Sequence, residues 1–197
     1  MKKTLLASSL LLLSMSSVQA ADAPRWDMGS VSYQSSSYDE ETLTGFAVSG
    51  SKLITDDIFV SARYDNISEE IESIVGDFDI NIATLSAGLG YRYAIMPNTD
   101  LYGVVSYESV SSKLSFDSES LGENTENGYG LKLGARSKVI DNVELASAIS
   151  YVYIDGEGEA GIDLSAMYDF TDYLSAGVGY EKTEHTDTAS LTGYFFF

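Results

Sequence analysis

The only histidine of this chain, His185, stands in Glu184-His185-Thr186-Asp187, where flanking carboxylates could orient an imidazole for general-base work. No acidic pair can be placed opposite it, and the connections around it are too short to build a cleft. A solitary histidine on a loop is ordinarily just solvated, so no catalytic residue is assigned. Clustered carboxylates are the second chemistry on offer. Residues 68–79 hold Glu69, Glu70, Glu72, Asp77 and Asp79, and residues 117–126 hold Asp117, Glu119, Glu123 and Glu126. Asp155, Glu157 and Glu159 alternate with glycine. Such oxygen ligands suit weak Ca²⁺ or Mg²⁺ binding, but none keeps the strict spacing of an EF-hand loop. The plainer expectation is a set of solvated acidic loops, with no metal site and no cofactor. Zinc spacings, Gly-rich phosphate loops and nucleophile elbows are absent. The third group is a set of charges that share one parity of an alternating pattern, and it depends on the elements that carry them.

Those elements announce themselves by repetition. A short Asp-bearing turn followed by apolar/polar alternation up to a tyrosine occurs four times. It runs from Asp56-Asp57 through Ile58, Val60, Ala62 and Tyr64, and from Asn98-Thr99-Asp100 through Leu101, Gly103, Val105 and Tyr107. It returns after Asp141-Asn142 as Val143, Leu145, Ser147, Ile149 and Tyr151, and after Thr171-Asp172 as Leu174, Ala176, Val178 and Tyr180. A period of two means β-strand, and the tight polar turn means a hairpin. The connecting strands behave alike. Leu85, Ala87, Leu89, Tyr91, Tyr93 and Ile95 oppose Arg92 and small polar residues. Tyr129, Leu131, Leu133, Ala135 and Val139 oppose Lys132, Arg136 and Lys138, and Ile162, Leu164, Ala166, Tyr168 and Phe170 oppose Asp163 and Asp169.

The charged face therefore carries Arg63, Asp65, Arg92, Glu108, Lys132, Arg136, Lys138, Glu144, Asp163, Asp169 and Glu181, whereas the apolar face of these strands is uncharged. Lys113 and Lys182 share the apolar parity, but each lies beyond its strand's tyrosine, near the outer end. Arg or Lys at mid-bilayer costs about 2–4 kcal/mol, so lipid would enforce this segregation. A soluble sandwich would show the same alternation, and the chain's ends separate the two.

Residues 1–20 read as a secretory signal peptide. Lys2 and Lys3 precede a mainly apolar stretch from Leu5 to Leu13, and Val18-Gln19-Ala20 forms a small-x-small cleavage site. The apolar stretch is too short to span a membrane as a helix. At the other end, Leu191-Thr192-Gly193-Tyr194-Phe195-Phe196-Phe197 is an alternating strand that stops on phenylalanine. With that terminal strand the chain resembles small bacterial outer-membrane β-barrels of the OmpA-transmembrane-domain, OmpX and opacity-protein type. The resemblance is one of architecture, with no motif that selects a subfamily. It implies that Leu191, Phe195 and Phe197 form the signal read by the barrel-assembly machinery.

The fold class expected is all-β, a transmembrane antiparallel up-and-down barrel over residues 21–197. Ten strands are counted, at about 26–36, 42–54, 57–68, 79–95, 100–115, 128–140, 143–154, 160–170, 173–183 and 187–197. Four short periplasmic turns alternate with five outer connections at 37–41, 69–78, 116–127, 155–159 and 184–186. An eight-stranded alternative would demote the Ser-rich first strand with its neighbour. The second strand is ambiguous, since Phe46 and Val48 favour one parity and Leu43 and Leu53 the other.

Charge narrows the function. Without Lys2 and Lys3 the chain has nine bases against thirty acids, a formal charge of −21. Nucleic-acid binding needs clustered Lys and Arg and is excluded. Lipopolysaccharide phosphates would repel the chain unless divalent cations bridge them. The chain lacks cysteine, so no disulfide framework is expected. The resemblance implies a non-enzymatic, monomeric envelope protein that displays acidic loops for surface interaction, adhesion or envelope integrity. A narrow channel for small ions or solutes is the alternative. Barrel enzymes such as omptin-type proteases or lipid-A-modifying barrels are a remote one, since they pair histidine with acids or serine at the rim.

Overall fold

The computed structural model describes residues 23–38, 41–73, 76–116 and 119–197. Ten antiparallel strands close into one barrel: β1 (Met28–Tyr38), β2 (Glu41–Leu53), β3 (Ile58–Ser73), β4 (Gly76–Met96) and β5 (Thr99–Phe116), then β6 (Glu119–Ile140), β7 (Val143–Ile154), β8 (Glu157–Asp169), β9 (Leu174–Thr183) and β10 (Thr186–Phe196). Each strand pairs with its sequence neighbours, and β1 closes on β10 from Met28↔Phe196 to Tyr38↔Thr186. Closure removes both sheet edges, as a membrane barrel requires. The eight-stranded alternative is excluded. The serines of β1 belong to the lumen, where Ser32 meets Thr192 at 2.8 Å and Ser36 meets Thr188 at 2.8 Å across the closing seam.

Alternation puts the apolar residues outside. Val31, Leu89, Val105, Leu133, Ile149, Leu164, Val178 and Leu191 are 49–63 % exposed on a surface that lipid must cover. In β2 the parity resolves: Phe46 and Val48 face out, and Ala47 is buried against the lumen. The turns at residues 54–57 and 170–173 share one device. Thr55 and Thr171 each accept the amide hydrogen three residues on, from Ile58 and Leu174, both at 3.0 Å. Threonine, rather than the adjacent aspartates, closes these two repeats.

Three expectations need correction. Residues 155–159 are not a loop. Asp155 and Gly156 have φ of 49° and 91°, a two-residue hairpin turn whose positive φ values Asp-Gly tolerates, and β8 starts at Glu157. The connections at 69–78 and 116–127 are mostly strand, because β3–β4 pairs continuously to Ser73↔Gly76 and β5–β6 to Phe116↔Glu119. The first strand starts at Met28, and Trp26 lies outside it. The signal peptide at residues 1–20 and Asp117 lie outside the described residues.

The extended strands project on one side. β2 leaves β3 at Ser68, and β7 leaves β6 at Gly128, while β3, β4, β5 and β6 remain paired with one another beyond those points. From Gly128 to Glu119, β6 adds nine residues, about 30 Å along the strand. The result is a four-stranded wall above the barrel mouth.

Candidate functional site

The inward parity gathers the charged side chains into two tiers. The lower tier lies at the end of the short turns. Arg136 Nε donates to Glu144 Oε1 at 2.6 Å, and both side chains are buried. Lys138 Nζ lies 2.9 Å from Asp169 Oδ2, and Arg92 Nη1 lies 3.0 Å from Asp100 Oδ2. In the upper tier Arg63 grips Asp65, its Nη2 donating to Oδ1 at 2.6 Å and its Nε to Oδ2 at 2.7 Å, while Gln34 donates to the same carboxylate. Lys132 Nζ donates to Asp163 Oδ1 at 2.9 Å. Arg63 and Lys132 remain partly exposed inside the lumen, whereas Arg136, Glu144 and Lys138 are buried, so the upper tier is the more accessible of the two. Pairing of this kind is how a confined lumen tolerates charge.

Not every inward charge has an opposite. Among the described residues Glu108 and Glu181 make no ion pair; Glu108 instead accepts hydrogen bonds from Ser86, at 2.9 Å, and Ser106. Arg92 takes as its partner Asp100, a residue the sequence suggested was part of a turn. Asp100 is the second residue of β5 and only 1 % exposed. Its parity with Tyr102, Ser106 and Glu108 was the available signal.

The residue with no sequence signal is Trp26. The segment before β1 turns into the lumen at the end of the short turns and buries Trp26 to 4 % exposure. Its ring lies 4.4 Å from Phe59 and 5.4 Å, edge-on, from Tyr102, with the Arg136 guanidinium 4.6 Å from the ring centre. Trp26 Nε1 donates to Asp100 Oδ2 at 2.7 Å. Phe59 and Tyr102 themselves lie on glycines: a Cβ at Gly90 would come within 2.2 Å of the Phe59 ring, and one at Gly134 within 2.7 Å of Tyr102. Arg25 completes the closure. Its Nη2 lies 2.6 Å from Asp169 Oδ1, its guanidinium 3.6 Å from the centre of the Phe196 ring, and its Nη1 donates to the Asp172 carbonyl. Burying an indole removes roughly 150–250 Å² from water, worth about 4–6 kcal/mol before conformational costs.

Asp27 anchors this segment at the rim. Its Oδ1 accepts the Leu53 amide hydrogen at 2.8 Å, and its Oδ2 lies 2.9 Å from Lys52 Nζ. The Leu53 amide, then the Lys52 ammonium, hold its carboxyl below the usual carboxylate range. Leu191, Phe195 and Phe197 share the outward, lipid-facing side, and the Phe195 and Phe197 rings stack at 6.4 Å.

At the opposite rim His185 meets neither Glu184 nor Asp187. Its Nδ1 lies 3.3 Å from Glu159 Oε1, and its ring lies 6.5 Å from Tyr38. Asp187 is instead engaged by Tyr180 at 2.6 Å and Lys182 at 2.7 Å. Among the described residues no three His, Asp or Glu side chains are grouped to hold a metal ion.

A sequence model of the outer membrane protein beta-barrel domain matches residues 5–181. The chain belongs to this family. Its place as an outer-membrane barrel, with lipid outside and a polar lumen inside, follows from that membership together with the closed ten-strand sheet. No curated protein matches it in sequence. Among solved structures this barrel is similar to the NanC porin, at 6 % identity over 86 % of this chain and 100 % of that one, TM-score 0.56. It is also similar to the KdgM porin in complex with disordered oligogalacturonate, at 9 % identity over 85 % and 99 %, TM-score 0.52. Ail, the attachment invasion locus protein of Yersinia pestis, in complex with the heparin analogue sucrose octasulfate, aligns at 13 % identity over 86 % and 95 %, TM-score 0.46. At these identities the likeness is one of fold.

Proposed function

We propose that this chain is a non-enzymatic surface-interaction protein of the Gram-negative outer membrane, exported by residues 1–20 and inserted by the barrel-assembly machinery. The observation that carries this reading is the four-stranded wall. A bilayer needs strands of about 9–11 residues. β1, β2 and β7–β10 have 10–13 residues, whereas β3–β6 have 16–22. The additional length crosses no membrane and serves only what lies outside it. Its sequence is acidic: residues 69–82 and 111–127 contain nine carboxylates and one base, Lys113. The partner chemistry that fits is a basic protein surface, bound in a salt-dependent way. Lipopolysaccharide bridged by divalent cations is the other occupant such acids would accept. A polyanion such as oligogalacturonate, which the KdgM porin holds, does not suit so acidic a chain.

The test compares phosphatidylcholine vesicles carrying the intact barrel with vesicles carrying a trimmed one. In the trimmed barrel, residues 69–80 and 113–123 are each replaced by Asn-Gly. The intact barrel should bind a lysine-rich peptide at low salt and release it at high salt, while the trimmed barrel should not bind. Equal binding by both would refute the wall as the contact surface. Retention of lipopolysaccharide micelles only with Mg²⁺, and no peptide binding, would replace the basic partner with lipid.

A further inference from the structure

The lumen's lower end is closed by residues that no strand supplies. Ladder pairing on both sides of β1 begins at Met28, so Arg25 and Trp26 hold no place in the sheet. Their attachments are the Asp100 and Asp169 carboxylates, the Phe59, Tyr102 and Phe196 rings, the Arg136 guanidinium over the indole, the Asp172 carbonyl and Ser175 hydroxyl on Arg25, and the Ser51 hydroxyl on the Trp26 carbonyl. All of these can be released while ten strand pairings stay intact. Asp27 stays tied to β2 through Leu53 and Lys52 and to the C-terminus through the Phe197 amide, at 3.2 Å. The segment thus has a hinge tied to the sheet and, beyond it, side-chain contacts that include no ladder pairing, the arrangement in which local opening costs far less than unfolding.

We propose that Arg25–Trp26 is a detachable plug, and that its withdrawal opens the lumen as a narrow passage selective for small cations. Ion selectivity follows from the charges. When Arg25 leaves, the lumen keeps five bases, Arg63, Arg92, Lys132, Arg136 and Lys138, against two more carboxylates than bases. Of the two carboxylates without a base, Glu181 lies partly exposed on the upper wall, where a permeating cation would pass, while Glu108 is buried against the Ser86 and Ser106 hydroxyls and adds its charge to the lumen field. The same motion releases Asp100 from the indole and leaves it with Arg92 alone. A lining of one excess sign concentrates ions of the other in a low-dielectric passage.

The experiment uses the refolded full chain in planar phosphatidylcholine bilayers under a KCl gradient. The unaltered protein should be silent or nearly so. Trp26→Ala should give discrete current steps, with a reversal potential on the potassium side. A silent Trp26→Ala barrel that keeps its unheated gel mobility overturns the proposal, and so does chloride selectivity. Should Trp26→Ala not fold, the unaltered chain supplies its own readout, because Trp26 is the only tryptophan. In a urea titration its accessibility to acrylamide should rise, and its emission shift red, before the unheated gel mobility is lost. Coincident transitions would show that the segment is welded to the barrel and overturn the plug.

Discussion

The Arg136–Glu144 pair gives the sharpest test of how the lumen is held. Both side chains are more than nine-tenths buried and joined at 2.6 Å, and Glu144 Oε2 has no other partner. Removing one member of such a pair strands a desolvated charge, at about 3–5 kcal/mol. Glu144→Gln should therefore lose about that much. Arg136→Met should lose the same and in addition the contact with the Trp26 ring, worth about 0.5–2 kcal/mol. The double variant Arg136→Met/Glu144→Met strands nothing, and apolar replacement of a buried pair is often neutral. It should return to within about 2 kcal/mol of the unaltered barrel, leaving mainly the lost ring contact. Equilibrium urea unfolding in detergent micelles, followed by gel mobility of unheated samples, measures all four proteins. A double variant as unstable as the worse single would refute the pair as the energetic unit. Single variants that cost nothing would show the lower tier to be wet.

Deleting Phe197 should leave little protein in the outer membrane of cells, while the same variant refolds in detergent. One aromatic contributes about 1.5–3 kcal/mol when fully buried, and Phe197 is well over half exposed; normal levels in cells would contradict its role in assembly. Val105→Arg, at a lipid-facing position, should cost about 2–4 kcal/mol in unfolding from bilayers, and a neutral result would place this face elsewhere. Asp27 has a carboxyl held below its ordinary value, so its contribution is complete above about pH 4 and is lost as pH falls through the lower folded value. The anchor reading requires acid to loosen Trp26 in the unaltered chain, seen as a red shift of its emission, and Asp27→Asn to be loosened already at neutral pH with little further change; identical acid titrations of the two would refute Asp27 as the anchor.

Much of the fold was legible because lipid imposes a rule on each residue separately. Every outward position must be apolar whatever its neighbours are, so period two survives in Ile58–Tyr64, Leu101–Tyr107, Val143–Tyr151 and Leu174–Tyr180 and yields the ten strands. The rule lapses where both faces are wet. The upper parts of β3, β5 and β6 are strands with polar or acidic sequences and little alternation, and backbone pairing with neighbouring strands reveals them; only β4 keeps the period there, as Phe78, Ile80 and Ile82.

The lumen followed a different logic, because a charge needs a partner that the sequence does not name. Arg63 and Asp65, two apart on β3, could be paired by inspection. Lys132–Asp163 and Lys138–Asp169 join β6 to β8 over the intervening β7, contacts that exist because the sheet curves. Trp26 is the extreme case. One aromatic ahead of the first strand carries no period and no motif, and its place is set by Phe59, Tyr102, Asp100 and Arg136, which come from three different strands. The sequence alone determined which face meets lipid, since the bilayer acts on each side chain independently. Which charges meet, and what closes the lumen, was decided only when barrel closure brought distant strands within a few ångströms of one another.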